Sequence, residues 1–164
     1  MLTKKQETSQ WAAMTVEEIL LLVKEKGFQA KHIVITGGEP CMVDLKPLCD
    51  AFELQGYSSQ VETSGTFEIS VSDKCWVTVS PKINMRGGYP ILNSAMHRAN
   101  EIKPPIATEQ HVNDLKELLA AHNIKNTPIY LQPISQKTRA TELAIETCIA
   151  NNWRLSVQVH KYLG

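Results

Sequence analysis

The run His32-Ile33-Val34-Ile35-Thr36 is β-branched and almost unbroken in apolar character, and it ends at Gly37-Gly38-Glu39-Pro40. Such a run is too short for a helix and too continuous for a strand with one wet face. It therefore predicts a strand buried on both faces of a sheet. Strands of that kind belong to parallel sheets, whose successive strands must be joined by long crossovers, usually helical. The flanking sequence supplies them. Thr15 and Glu18 have capping-box spacing, and Val16, Ile19, Leu20 and Val23 recur at i, i+3, i+4 and i+7. With Gly27 as a left-handed stop, they predict an amphipathic helix over Thr15 to Lys26. Leu45, Leu48, Cys49 and Phe52 form a second stripe, with Asp44 as its cap, Pro47 in its first turn and Gly56 as its stop.

The alternation continues. Strands are expected at Ser58 to Glu62, Cys75 to Val79, Pro128 to Gln132 and Trp153 to Val157, and helices at Ile91 to Asn100, Val112 to His122 and Thr138 to Asn151. This pattern predicts an α/β fold built from βαβ units, and periodicity alone leaves an open sheet and a partial barrel both available. A chain of 164 residues without internal repeat or linker is expected to form a single domain over 1–164, with the polar, aperiodic residues 1–10 as a frayed end. Parallel α/β proteins bind ligands where strands give way to loops at their carboxyl ends. Four such loops are polar or glycine-rich: Thr36 to Pro40, Glu62 to Thr66, Ser80-Pro81-Lys82 and Gln132 to Gln136. They are expected to converge on one face.

Composition narrows the partners. Seventeen basic residues balance seventeen acidic ones, so no general attraction for nucleic acid or membrane follows. No apolar run approaches the roughly 18 residues of a membrane span, and no hydrophobic segment follows Met1-Leu2-Thr3-Lys4-Lys5, which predicts a cytoplasmic protein. Cys41, Cys49, Cys75 and Cys148 form no C-x-x-C pair and suggest neither zinc nor a cluster. Cys49, Cys75 and Cys148 read as small buried side chains, while Cys41 adjoins the glycine motif. His97, His111, His122 and His160 lack partners at ligand spacing, and Arg86-Gly87-Gly88 reads as a solvated turn. No residue is assigned as catalytic or as a metal ligand.

The glycine motif carries the most chemistry. Two glycines after a strand let a ligand approach the main chain without meeting a Cβ. Glu39 is then placed to accept hydrogen bonds from an amino acid's ammonium group, and the absence of a following Lys-Ser/Thr argues against a phosphate loop. Thr63 and Ser64 offer hydroxyls to a ribose, Lys82 a cation, and Gln132 both a donor and an acceptor.

Read in order, VITGGEPC at Val34 to Cys41, VETSGT at Val61 to Thr66, VSPKINMRGG at Val79 to Gly88, ANEIK at Ala99 to Lys103, LQPISQK at Leu131 to Lys137 and the close at Trp153 to Leu163 resemble a known family. It is that of the radical S-adenosylmethionine (SAM) enzymes of the 7-carboxy-7-deazaguanine synthase type, and the match runs from about Trp11 to the end. The resemblance implies a partial (β/α) barrel of the radical SAM type, lacking its N-terminal strand and cluster loop. It further implies SAM-dependent radical conversion of 6-carboxy-5,6,7,8-tetrahydropterin to 7-carboxy-7-deazaguanine with loss of ammonia, in queuosine biosynthesis, by a homodimer. Its SAM contacts would be Gly37, Gly38, Glu39, Thr63, Ser64, Ser80, Pro81, Lys82 and Gln132, and Thr36 would touch the substrate. The family's [4Fe–4S] cluster requires three closely spaced cysteines, and neither these nor the family's magnesium ligand occurs in this sequence. The competing reading is a non-catalytic SAM- or pterin-binding remnant, or an interaction module.

Overall fold

Every strand pairing among the described residues is parallel. The computed structural model describes residues 12–83, 89–134 and 137–159. The expectations for residues 1–10, Arg86-Gly87-Gly88, the Ser135-Gln136 part of the fourth loop and His160 lie outside them. Helix α1 (Val16–Glu25) starts where the capping box was expected. The Thr15 hydroxyl accepts from the Glu18 amide at 3.2 Å, and the Glu18 carboxylate accepts from the Thr15 amide at 2.7 Å. Strand β1 (His32–Ile35), helix α2 (Lys46–Leu54), strands β2 (Ser58–Thr63) and β3 (Trp76–Val79), helix α3 (Asn93–Arg98) and strand β4 (Glu101–Ile102) follow. After them come β5 (Pro105–Ile106), α4 (Glu109–Ala121), β6 (Tyr130–Pro133), α5 (Thr138–Asn151) and β7 (Arg154–Leu155).

The strands form a four-stranded sheet in the order β1-β2-β3-β4 and a three-stranded sheet in the order β5-β6-β7. A parallel bridge between Ile102 and Ile129 joins them, reinforced by the Ile102 amide donating to the Pro128 carbonyl at 2.9 Å. β4 and β5 are thus two halves of one bent strand, broken at Lys103-Pro104 because a proline cannot donate to the ladder. The result is a partial (β/α) barrel. Its helix side carries the core: Val61, Val77, Val79, Ile102 and Leu131 from the strands pack with Cys49, Met96, Leu115, Ala144 and Cys148 from the helices. Arg98, at the end of α3, donates to the carbonyls of Ser72 and Cys75 and to Asn100, whose side chain accepts from the Val77 amide at 2.8 Å. That set ties α3 to β3.

Three expectations need correction. β1 is not buried on both faces: His32 and Val34 are exposed, and Ile33 and Ile35 only half-buried. Its one partner among the described residues is β2, and the side carrying His32 and Val34 is exposed, so apolar continuity overstated its burial. Asp44 is not the cap of α2, which begins at Lys46 after Leu45; its carboxylate instead accepts from the Lys46 amide at 3.0 Å and the Ser70 hydroxyl at 2.6 Å. Finally, the two-residue strands β4 and β5 went unforeseen, since so short a pairing shows no period.

Candidate functional site

The loop after β1 places its glycines and its acid differently. Gly37 adopts φ +143°, which side chains rarely tolerate, and a Cβ built on Gly38 would meet no heavy atom within 4 Å, so the main chain there faces open space. Glu39 turns back into the protein as the cap of a single 3-10 turn, Pro40–Met42. Its Oε1 accepts from the Cys41 amide at 3.1 Å and the Thr63 hydroxyl at 2.6 Å; its Oε2 accepts from the Ser64 amide at 2.8 Å and, closer still, from the Ser64 hydroxyl. Burial alone would push this carboxyl upward. The Ser64 and Thr63 hydroxyls and the Ser64 and Cys41 amides outweigh it and hold Glu39 below its ordinary value, so it is ionised at neutral pH.

This arrangement modifies two sequence expectations. A carboxylate has about four acceptor positions, and all four on Glu39 are taken by the protein, so an ammonium ligand would meet its charge rather than a vacant lone pair. Thr63 is buried, and its hydroxyl donates to Glu39 while accepting from the Gly65 amide at 3.1 Å. It braces the loop from the helix side, because the alternation along β2 sends it to the core. Ser64, one residue on, is half-buried, with its hydroxyl also beside that of Thr66 at 2.8 Å.

Gly65 closes the turn at φ +79°, and a Cβ there would sit 2.9 Å from the Val79 side chain. Gly65→Ala is therefore expected to cost roughly 1–3 kcal/mol through strain and overpacking, readable as a lowered urea midpoint.

The remaining strand ends are laced to these loops by main-chain bonds. The Ser80 amide donates to the Thr63 carbonyl at 2.7 Å, the Lys103 amide to the Val79 carbonyl at 2.7 Å, and the Gln132 amide to the Pro104 carbonyl at 3.0 Å. The Ser80 hydroxyl donates to the Lys103 carbonyl at 2.9 Å, which leaves its lone pairs to accept. Pro81 is buried, Lys82 and Thr36 are exposed, and Gln132 is half-buried. The parallel register thus brings all the nominated residues to one end of the sheet, with Thr63 turned inward. His111, by contrast, accepts the Ala107 amide on Nδ1, and His122 pairs with Asn93 at 3.0 Å, so both have structural partners.

Sequence reasoning missed the face of the sheet that the helices leave uncovered. There the His32 ring meets Ser58 and Gln60, Gln60 donates to Thr78 at 2.9 Å, and Thr78 donates to Glu101 at 2.8 Å, a polar ladder crossing β1 to β4. One layer nearer the carboxyl end, Lys103 Nζ lies 2.5 Å from Glu62 Oε1. The signal was present in the alternation of Gln60-Val61-Glu62 and Glu101-Ile102-Lys103.

A cluster does not fit these residues. All four cysteines are buried in the core, packed among apolar side chains. Among the described residues no three His, Cys, Asp or Glu side chains are grouped to hold a metal ion.

No model of a protein family matches the chain. Over 164 residues it is 54% identical to the 7-carboxy-7-deazaguanine synthase of Escherichia coli (strain K12), covering 99% of this chain and 74% of that protein. The chain belongs to the 7-carboxy-7-deazaguanine synthase family. The synthase of Buchnera aphidicola subsp. Schizaphis graminum is 46% identical over 161 residues, covering 98% of this chain and 72% of its own. The crystal structure of QueE from Escherichia coli superposes with a TM-score of 0.86 at 53% identity, covering 96% of this chain and 69% of that one. The partial barrel is therefore the fold of a 7-carboxy-7-deazaguanine synthase, and the laced strand ends are its carboxyl-end loops.

Proposed function

We propose that the carboxyl-end loops of this chain bind SAM and hold it against 6-carboxy-5,6,7,8-tetrahydropterin, for the radical conversion to 7-carboxy-7-deazaguanine in queuosine biosynthesis. The observation that carries the reading is the open main chain at Gly38 beside the ionised, immobilised carboxylate of Glu39. A methionyl ammonium that settles on Gly37-Gly38 gains a fixed negative charge behind the loop with no further reorganisation. Lys82 offers a cation to the carboxylate, Ser64 and Ser80 offer oxygen acceptors to hydroxyls, and Gln132 offers both hydrogen-bonding senses. Thr36, exposed at the tip of β1, contacts the pterin. When bound and reduced, SAM supplies the hydrogen-abstracting chemistry. This chain's residues orient the two ligands, and the buried Thr63 and Pro81 keep water from the underside of the loops. With no cluster ligands among them, these residues serve the positioning half of the reaction. The same reading makes the protein a cytoplasmic homodimer.

Gly38→Val tests it. Open space around Gly38 means the substitution leaves the urea midpoint unchanged, while its side chain occupies the ligand's approach. SAM affinity measured by calorimetry should fall at least about tenfold, or roughly 1.4 kcal/mol. Equal affinity in both proteins would place SAM elsewhere.

A further inference from the structure

The ion pair on the uncovered face of the sheet lies at the base of the SAM-facing loops, with Glu62 leading into one of them and Lys103 bonded to others. Lys103 stands at the break between β4 and β5, where the sheet bends. Its side chain reaches across β3 to Glu62 on β2, with Nζ 2.5 Å from Oε1 and the two side chains only 16% and 31% exposed. Its carbonyl accepts the Ser80 hydroxyl, its amide donates to Val79, and the carbonyl of the next residue, Pro104, accepts the Gln132 amide. Three strand ends that the ligands must share are therefore referenced to one position in the chain.

Stability does not explain the pair. A partly exposed ion pair gains little after desolvation and the ordering of two long side chains are counted, and a deeper one is often outdone by apolar side chains of the same size. Nor does the core require it, for it lies opposite the helices. What the pair does accomplish is geometric. Glu62 spends Oε1 on Lys103, and among the described residues Oε2 accepts from nothing, so it is available to a ligand.

We infer that Lys103 is a positioning residue for the ligand site, locking Glu62 so that its second oxygen meets a planar nitrogen heterocycle bearing ring N–H groups, while its main chain sets Ser80 and Gln132 around the same ligand. This rests on the functional reading above, because that reading supplies the heterocycle. Lys103 touches no reacting atom and acts through Glu62.

The test uses the full chain with 6-carboxy-5,6,7,8-tetrahydropterin as the probe in calorimetry, together with amide hydrogen exchange in the absence of ligand. Lys103→Met should weaken pterin binding at least about tenfold while the urea midpoint stays within about 0.5 M. Lys103→Arg, which keeps a donor for Glu62, should recover affinity to within about threefold. Because the lysine works through the glutamate, Lys103→Met in a Glu62→Gln background should add less than twofold. In the free protein, exchange at Ser80 and Gln132 should quicken about fivefold in Lys103→Met and return in Lys103→Arg. Wild-type affinity in Lys103→Met, or losses that simply add with Glu62→Gln, would overturn the inference. If the unaltered chain does not bind the pterin, the functional reading falls, and exchange at Ser80 and Gln132 then decides alone: no change in Lys103→Met rejects the positioning role as well.

Discussion

Glu39→Ala is expected to lower the unfolding free energy by roughly 2–3 kcal/mol, the cost of stranding the donors that one ionised carboxylate satisfies. The Thr63 hydroxyl is buried and would lose its acceptor, and the Ser64 and Cys41 amides would lose theirs. Glu39→Gln keeps the shape but presents an NH2 to one side of the clamp, so it should lose about half as much. The pH dependence follows from the depressed folded-state pKa of Glu39, whose ordinary value is 4.5. Its contribution is fully present above that value and is lost as the pH falls through the lower folded value, since the unfolded chain takes up the proton first. Urea midpoints should therefore separate wild type from Glu39→Gln at pH 7 and draw together progressively as the pH falls below 4.5. A separation that is constant with pH would mean that the carboxylate's charge does not matter to the clamp.

Ile102→Ala should cost roughly 2–5 kcal/mol, the range for deleting a fully buried aliphatic side chain whose surroundings cannot collapse. Ile102 is completely buried, pairs with Val79 on one side and with Ile129 on the other, and is the joint between the two sheets. Relaxation into the cavity is limited because both neighbours are held by ladder bonds. Moreover, the next two residues carry the bonds to Ser80 and Gln132, so SAM affinity should fall along with stability in this variant, unlike in Gly38→Val. Guanidinium denaturation and calorimetry on the same preparation would show it, and a stable protein with intact affinity would contradict the joint.

How far the sequence could be read depended on the range of the forces involved. The bounds of α5 match expectation at both ends, and α1 begins at Val16 behind its Thr15 cap, because stripes and caps are set within a turn or two of chain. The loops after β1, β2, β3 and β6 could be placed on one face because parallel topology leaves them no other arrangement. The carboxylate of Glu39 was harder. Its neighbours Thr63 and Ser64 lie 24 and 25 residues on, and only the folded register shows that they occupy its lone pairs. The same holds for Glu62 and Lys103, separated by 41 residues. As letters they are a strand-end acid and a surface lysine, and only the folded β2-β3-β4 register brings them together. The burial of β1 was overestimated because branched apolar residues suit a strand whether or not a second layer covers it.

The purely parallel pairing has a consequence for how the chain is made. With no hairpin among the described residues, a strand can never zip onto the one just before it through a tight turn; side chains that meet across strands lie 26, 23 and 24 residues apart at His32 and Ser58, Thr78 and Glu101, and Tyr130 and Arg154. At the roughly 5–20 residues per second of synthesis, each strand waits about 1–5 s on the ribosome before its next neighbour exists. The sheet therefore grows outward one crossover at a time, always with a fresh unpaired edge at its growing side, and the order of assembly is written into the order of translation.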